Sequence, residues 1–293
     1  MNDVPVLFFE GVAICFTRRE TLLAGCALQG LSGHVASEAY ANSCIPCMWL
    51  SNGQLEEESF LNWEDKPVDI ETPNRKHLHH IQISIYGDKE EYSADPEAME
   101  RVLSVTKGTP VLLSLQTSNI SKEIAKCVDS IRLVFDLQVD TKITSDVLKV
   151  MRSLVKKNTL NEMEIGKDVE IEDETAQLLV DLLKQKQFHR MFLRAKCSAA
   201  LQEIIASWRE NSDEMVGKII YCKDEFSELQ LPSTEFRFEE CKAEEERDAK
   251  RAYPFAADWS TITTKSVLRN QNGRAIYCFS SSSLELKSEF VFV

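Results

Sequence analysis

The feature that most restricts this 293-residue chain is a frame that returns at nearly constant spacing. It reads apolar-x-x-apolar-x-apolar-x-x-polar. The copies are Val128, Ile131, Leu133, Asp136; then Leu160, Met163, Ile165, Asp168; then Phe188, Met191, Leu193, Lys196; then Val216, Ile219, Tyr221, Asp224. Their starts are 32, 28 and 28 residues apart. The alternating centre of each copy predicts a short strand with one buried face. Helical patterns lie between the strands. Val147, Leu148, Met151, Leu154 and Val155 recur at three- and four-residue spacing, with Thr144 or Ser145 as the cap. Leu178, Leu179, Leu182 and Leu183 follow Asp173 as the cap of a second helix, and Leu201, Ile204, Ile205 and Trp208 follow Ser198 as the cap of a third. Neither strand nor helix can bury its apolar face alone, but stacked units bury both. The expected class is α/β, with parallel strands near 131–134, 163–166, 191–194 and 219–222 and helices on the outer side. An ordinary α/β domain whose βα units look alike is the alternative.

The frame extends less regularly to both sides. Leu78, Ile81 and Ile83 open a unit whose helix has Asp95 as cap, Pro96 in its first turn, Met99, Val102 and Leu103 as its stripe and Gly108 as its stop. Leu113 and Leu115, with Ile124 and Val128 behind them, make a shorter unit, and Phe236 and Phe238 a candidate last strand. This pattern resembles a leucine-rich repeat of the long, helix-containing kind over residues 76–245. It departs from that family in carrying Asp136, Asp168, Lys196 and Asp224 where the family places a ladder Asn or Cys. A Lys cannot accept backbone N–H bonds as Asn does.

Residues 1–50 read as a separate helical unit. Pro5 opens a helix with Leu7, Phe8, Val12 and Cys15 or Phe16 on its apolar side; Arg18 to Glu20 begins a second, with Leu22, Leu23 and Cys26; Ser32 to Tyr40 forms a third. About fifty residues bury too little to be comfortably stable alone. An acidic residue, then Val-Pro, then three short helices resembles an F-box, and Asn2 to Val12 resembles the opening of a nematode-expanded family of F-box-like proteins that joins such a start to divergent repeats. That resemblance implies a substrate-recognition subunit of a cullin-based ubiquitin ligase. Val4, Pro5, Leu7, Phe8 and Val12 would bind the Skp adaptor, and the repeats would bind a protein target. The same build without adaptor binding would sequester or antagonise a specific protein.

Residues 51–75 are rich in turn formers and charges and read as a linker. Residues 246–293 read as a C-terminal β cap. There Asn272-Gly273 between two alternating runs is a strong hairpin signal, and the cap would cover the last repeat's open edge.

Composition narrows function more than fold. With 34 Lys+Arg against 47 Asp+Glu the net charge is −13, which disfavours nucleic acid as a partner. Val4 to Phe16, the most apolar stretch, is interrupted by Glu10 and too short to span a membrane. The start lacks a basic n-region, so a cytoplasmic or nuclear setting is expected. There, most of the nine cysteines would be free, buried thiols. Cys44 and Cys47 have CxxC spacing but no second pair. His77 and His79 would share a strand face without a nearby acidic or Cys partner. Ten glycines in the chain leave no room for a glycine-rich phosphate loop, and no nucleophile elbow or zinc helix occurs. We therefore expect no enzyme, no metal and no cofactor. The strand positions that point away from the core are the candidate target site: Arg132, Glu164, Arg190, Phe192, Arg194 and Ile220. Arg and aromatic side chains are the usual anchors of protein interfaces.

Overall fold

The computed structural model describes residues 19–68, 78–89, 92–224, 238–242, 244, 262–270, 274–281 and 288–293. The chain divides into two compact units, Met1–Phe135 and Asp136–Val293.

In the first unit, α1 (Arg19–Cys26) and α2 (Leu31–Ala41) are the second and third helices read from the sequence. Leu22 of α1 and Val35, Ala36 and Ala39 of α2 form one core cluster with Ile45, Cys47 and Trp63. Beyond α2 the helical reading of residues 1–50 fails. Ile45–Ser51 is a strand, β1, and it pairs antiparallel with β2 (Gln54–Leu61), inside the stretch read as a linker. Asn52 at φ 47° and Gly53 at φ 78° supply the two left-handed residues of a tight hairpin turn. Only glycine fits at position 53, since a Cβ there would lie 2.5 Å from the Ala94 Cα. β1 continues parallel to β3 (Ile81–Tyr86), and β3 parallel to β4 (Val111–Leu115).

The helix after β3, α3 (Pro96–Val105), begins where expected. The Asp95 side chain accepts from the Glu97 N–H at 3.1 Å, satisfying a first-turn donor, and Pro96 needs none. Gly108 takes φ 82° in the turn that follows. Next, α4 (Lys122–Ser130) is capped by Ser121, whose hydroxyl accepts from the Ile124 N–H at 3.2 Å, and buries Ile124, Cys127 and Val128.

The division between the units falls within β5 (Val134–Val139). The second unit is a mixed sheet, not closed into a barrel, in the order β5, β6 (Glu162–Ile165), β7 (Arg190–Leu193), β8 (Ile219–Cys222), β12 (Ser288–Phe292), β11 (Ala275–Ser281), β10 (Ile262–Arg269), β9 (Phe238–Glu240). The first four strands are parallel neighbours, and every later pairing is antiparallel. Helices α5 (Ser145–Lys156), α6 (Asp173–Leu183) and α7 (Ser198–Met215, kinked at Asn211) connect the parallel strands. Leu179, Leu182, Ile204 and Trp208 are all fully buried.

Two copies of the repeating frame are misplaced in the sequence reading. Ile131 closes α4, its N–H bonding the Cys127 and Val128 carbonyls at 3.2 Å, so Val128 and Ile131 belong to a helix end rather than to a strand. The strand starts three residues later, and its inward pair is Leu137 and Val139, opposite Met163 and Ile165. At the fourth copy, Val216 is 38% exposed and Gly217 turns at φ 84°, its N–H bonded to the Phe292 carbonyl at 2.9 Å. The inward pair there is Ile220 and Cys222. Leu137, Met163, Met191 and Ile220 are thus 26, 28 and 29 residues apart. Phe238 does not add a further parallel repeat strand, because β9 pairs antiparallel with β10. Asn272-Gly273 lies outside the described residues, although the strands on either side of it, β10 and β11, pair antiparallel.

Candidate interaction face

The pleat alone sorts the side chains of β6, β7 and β8. Successive residues of a strand point to opposite faces. Met163, Ile165, Met191, Leu193, Ile220 and Cys222 share one face and are fully buried. The register then sets Glu162 beside Arg190 and Ile219, and Glu164 beside Phe192 and Tyr221, on the other face.

Phe192 and Tyr221 stack there with ring centroids 4.8 Å apart and planes within 6°. Both remain half-buried, so part of the stacked surface faces solvent. Such pairs stabilise by about 0.5–1.5 kcal/mol beyond the area they cover. Arg194, the first residue past β7, is held over this row by Glu164, with Nε 2.6 Å from Oε1. Its main-chain N–H bonds the Ile165 carbonyl at 2.9 Å, which continues the parallel ladder and fixes where the side chain leaves the backbone. At 35% and 28% side-chain exposure the pair is neither free nor sealed off. Arg190 is half-buried at the other end of the row. The strip therefore presents two guanidinium groups, the carboxylates of Glu162 and Glu164, the second engaged with Arg194, and an aromatic pair. Gly166, just past β6, leaves space for Asp140, since a Cβ at 166 would lie 2.1 Å from the Asp140 Oδ1.

Four of the six target-site candidates, Glu164, Arg190, Phe192 and Arg194, lie on this strip. Ile220 does not: the one-residue slip at Gly217 turns it into the core and puts Tyr221 in its place. The aromatic partner of Phe192 is what the sequence reading missed. Counting the fourth copy from Gly217 rather than Val216 would have found it. Arg132 is exposed, but it sits in the connection between α4 and β5 and on no strand. The adaptor candidates Val4, Pro5, Leu7, Phe8 and Val12 lie outside the described residues, as does His77.

His79, His80, Cys44 and Cys47 are buried and serve the core. His80 packs between Trp63, 5.5 Å away, and Phe135, 5.7 Å away in an edge arrangement. Burial, with the neighbouring His79, pulls its pKa down to about 4 and keeps the ring neutral. Cys44 and Cys47 are both buried, and burial raises their thiols to about 11 and 12, which makes them poor nucleophiles. Among the described residues no group of three or more His, Cys, Asp and Glu is placed to hold a metal ion, and no helix is long and apolar enough to cross a membrane. At the ladder position of the fourth copy, Asp224 accepts from the Cys197 N–H and the Ser198 hydroxyl, both at 2.8 Å. A carboxylate thus caps the start of α7, which has no side-chain cap of its own.

Comparison with known proteins returns no match to a family model, to a curated protein or to a solved structure.

Proposed function

We propose that the chain is a protein-binding module, the substrate-recognition subunit of a cullin-based ubiquitin ligase. In this reading the N-terminal segment engages the Skp adaptor and the strip on β6, β7 and β8 engages a protein target. The observation that carries the target half is the half-exposed Phe192–Tyr221 stack flanked by Arg190 and the Arg194–Glu164 pair. A rigid aromatic platform costs little side-chain entropy on binding, and partly buried Arg groups supply direction; such groups dominate interface energetics. The row stands on short strands whose opposite faces are fully buried, so it is preorganised. The adaptor half is supported by the likeness of Asn2 to Val12 to an F-box opening and by the two short helices that follow it.

Affinity capture with the full chain tests both halves. Wild-type protein should enrich the Skp adaptor and at least one further protein from a cytoplasmic or nuclear extract. An Arg190→Glu, Phe192→Ala variant should lose the further protein and keep the adaptor. A Pro5→Ala, Phe8→Ala variant should do the reverse. Equal recovery of every protein by all three, at unchanged melting temperatures, would overturn the assignment of both surfaces.

A further inference from the structure

The start of α7 and the end of β8 meet at one residue. The β7–β8 register sets Leu193 opposite Cys222. The chain leaving β7 then turns through Arg194 to Lys196 and reaches Cys197, the residue that caps α7. Asp224 binds it there, through the main-chain N–H of Cys197 and the hydroxyl of Ser198, at 2.8 Å each. The Cys222 thiol lies 3.3 Å from the Asp224 main-chain oxygen. Three hydrogen bonds to a single residue therefore gather both cysteines, and the Cys222 thiol faces that of Cys197 closely enough to raise it. Both are reduced and buried, Cys197 at 3% exposure and Cys222 at 0%. Neither contributes to the interaction face.

We propose that Cys197 and Cys222 form a latent disulfide, a reduced pair that a two-electron oxidant closes, pinning the start of α7 to β8. The balance is simple for a peroxide. One thiolate attacks a peroxide oxygen and expels hydroxide, becoming a sulfenic acid; the second thiol attacks that sulfur and releases water. Two thiols and one hydrogen peroxide give one disulfide and two waters, and two electrons pass from sulfur to oxygen. The facing Cys222 thiol, burial and the Asp224 carboxylate all raise the Cys197 thiol far above its ordinary range, so Cys197 holds almost no thiolate in the closed fold. Oxidation then proceeds through brief openings of the first turn of α7, a helix start held by a side chain from the next strand. The device is accordingly slow, and it answers sustained rather than passing oxidant. Once closed, the bond ties the helix between β7 and β8 to the second of those strands, which stiffens the pair that carries Phe192 and Tyr221. The inference is independent of what that face binds.

The test uses the reduced full chain. It is incubated with hydrogen peroxide in native buffer, quenched in denaturant with excess N-ethylmaleimide, and cut with trypsin. Cleavage after Lys and Arg places Cys197 in the peptide 197–209 and Cys222 in 219–223. These two should appear joined, two hydrogens lighter than their sum, as the main disulfide, and should separate on reduction. The oxidised protein should melt roughly 5 °C or more above the reduced one, and Cys222→Ser should abolish both effects. Recovery of both peptides as separate maleimide adducts, a main link to any other cysteine, or an oxidised form that melts no higher than the reduced one would overturn the proposal. Should Cys222→Ser fail to fold, the wild-type peptide map decides.

Discussion

Lys218 offers the sharpest energetic test of the second unit. The residue is 3% exposed, and its ammonium has no carboxylate partner in the contacts that hold it. It donates instead to three main-chain carbonyls just beyond α6: Gln185 at 2.6 Å, Phe188 at 2.6 Å and Lys186 at 3.3 Å. All three N–H donors are thus used, on the turn that follows the helix. A charged hydrogen bond contributes about 1.5–3 kcal/mol, so the two short ones sum to roughly 3–6 kcal/mol. Against this stands the desolvation of a buried ammonium, which is several kcal/mol in real proteins. Lys218→Met keeps the length of the stem and removes both terms, but leaves the Phe188 carbonyl without its 2.6 Å donor. The net expectation is a loss of roughly 2–4 kcal/mol, a large part of the 5–15 kcal/mol that holds a typical domain together. Urea unfolding of wild type and variant at neutral pH measures it. A midpoint shift worth less than about 0.5 kcal/mol would refute the reasoning, since that is the range of an exposed site. The pH dependence gives an independent sign. Burial lowers the Lys218 pKa from the ordinary lysine value. Between the lowered value and about 10.4 the unfolded chain binds more protons than the folded one, so stability rises with pH across that window. The stability difference between wild type and Lys218→Met should rise with pH across that window, since the raised Cys44 and Cys47 thiols, which act in the opposite sense, are common to both proteins.

Two further outcomes follow from the first unit. His80, with its pKa lowered to about 4, is neutral when folded and ordinary when unfolded; its contribution is present above about pH 6.5 and is lost as pH falls toward 4, so His80→Phe should remove up to roughly 3 kcal/mol of the acid-side decline in urea titrations. Gly53→Ala should destabilise by at least about 1–2 kcal/mol in the same assay, because φ 78° disfavours a Cβ and the Ala94 backbone lies 2.5 Å from where it would sit.

What the chain shows in advance depends on how many residues vote. The helices are legible through apolar residues at helical spacing, helped in α3 and α5 by the caps Asp95 and Thr144; α6 and α7 instead begin after Glu172 and Cys197, which make no side-chain cap bond, one residue before the Asp173 and Ser198 read as caps. The four-residue strands were less so. Their frame rests on two inward positions, and where Ile219, Ile220 and Tyr221 run consecutively a one-residue slip changes nothing in the pattern yet moves every side chain to the other face. That slip is why Ile220 stood in the candidate site and Tyr221 did not. The β1–β2 hairpin was hidden for another reason. Asn52-Gly53 is as strong a turn signal as Asn272-Gly273, but β2 carries Glu56, Glu57 and Glu58 and lacks apolar alternation. Charges of this kind suit an outer strand. There the Arg101 guanidinium grips Glu58 through two bonds, at 2.7 and 3.1 Å, and the Tyr86 hydroxyl donates to Glu56. Lys218 left no signal at all, because its partners are main-chain atoms some thirty residues away.

The central claim is that one chain joins an adaptor-binding segment to a separate target-binding face. Calorimetric titration of purified Skp adaptor into the full chain tests it most directly. The account predicts a one-to-one isotherm at micromolar affinity or tighter that persists in the Arg190→Glu, Phe192→Ala variant and vanishes in the Pro5→Ala, Phe8→Ala variant. An absence of binding by well-folded wild-type protein at micromolar concentration would contradict it and would favour a module that sequesters its target.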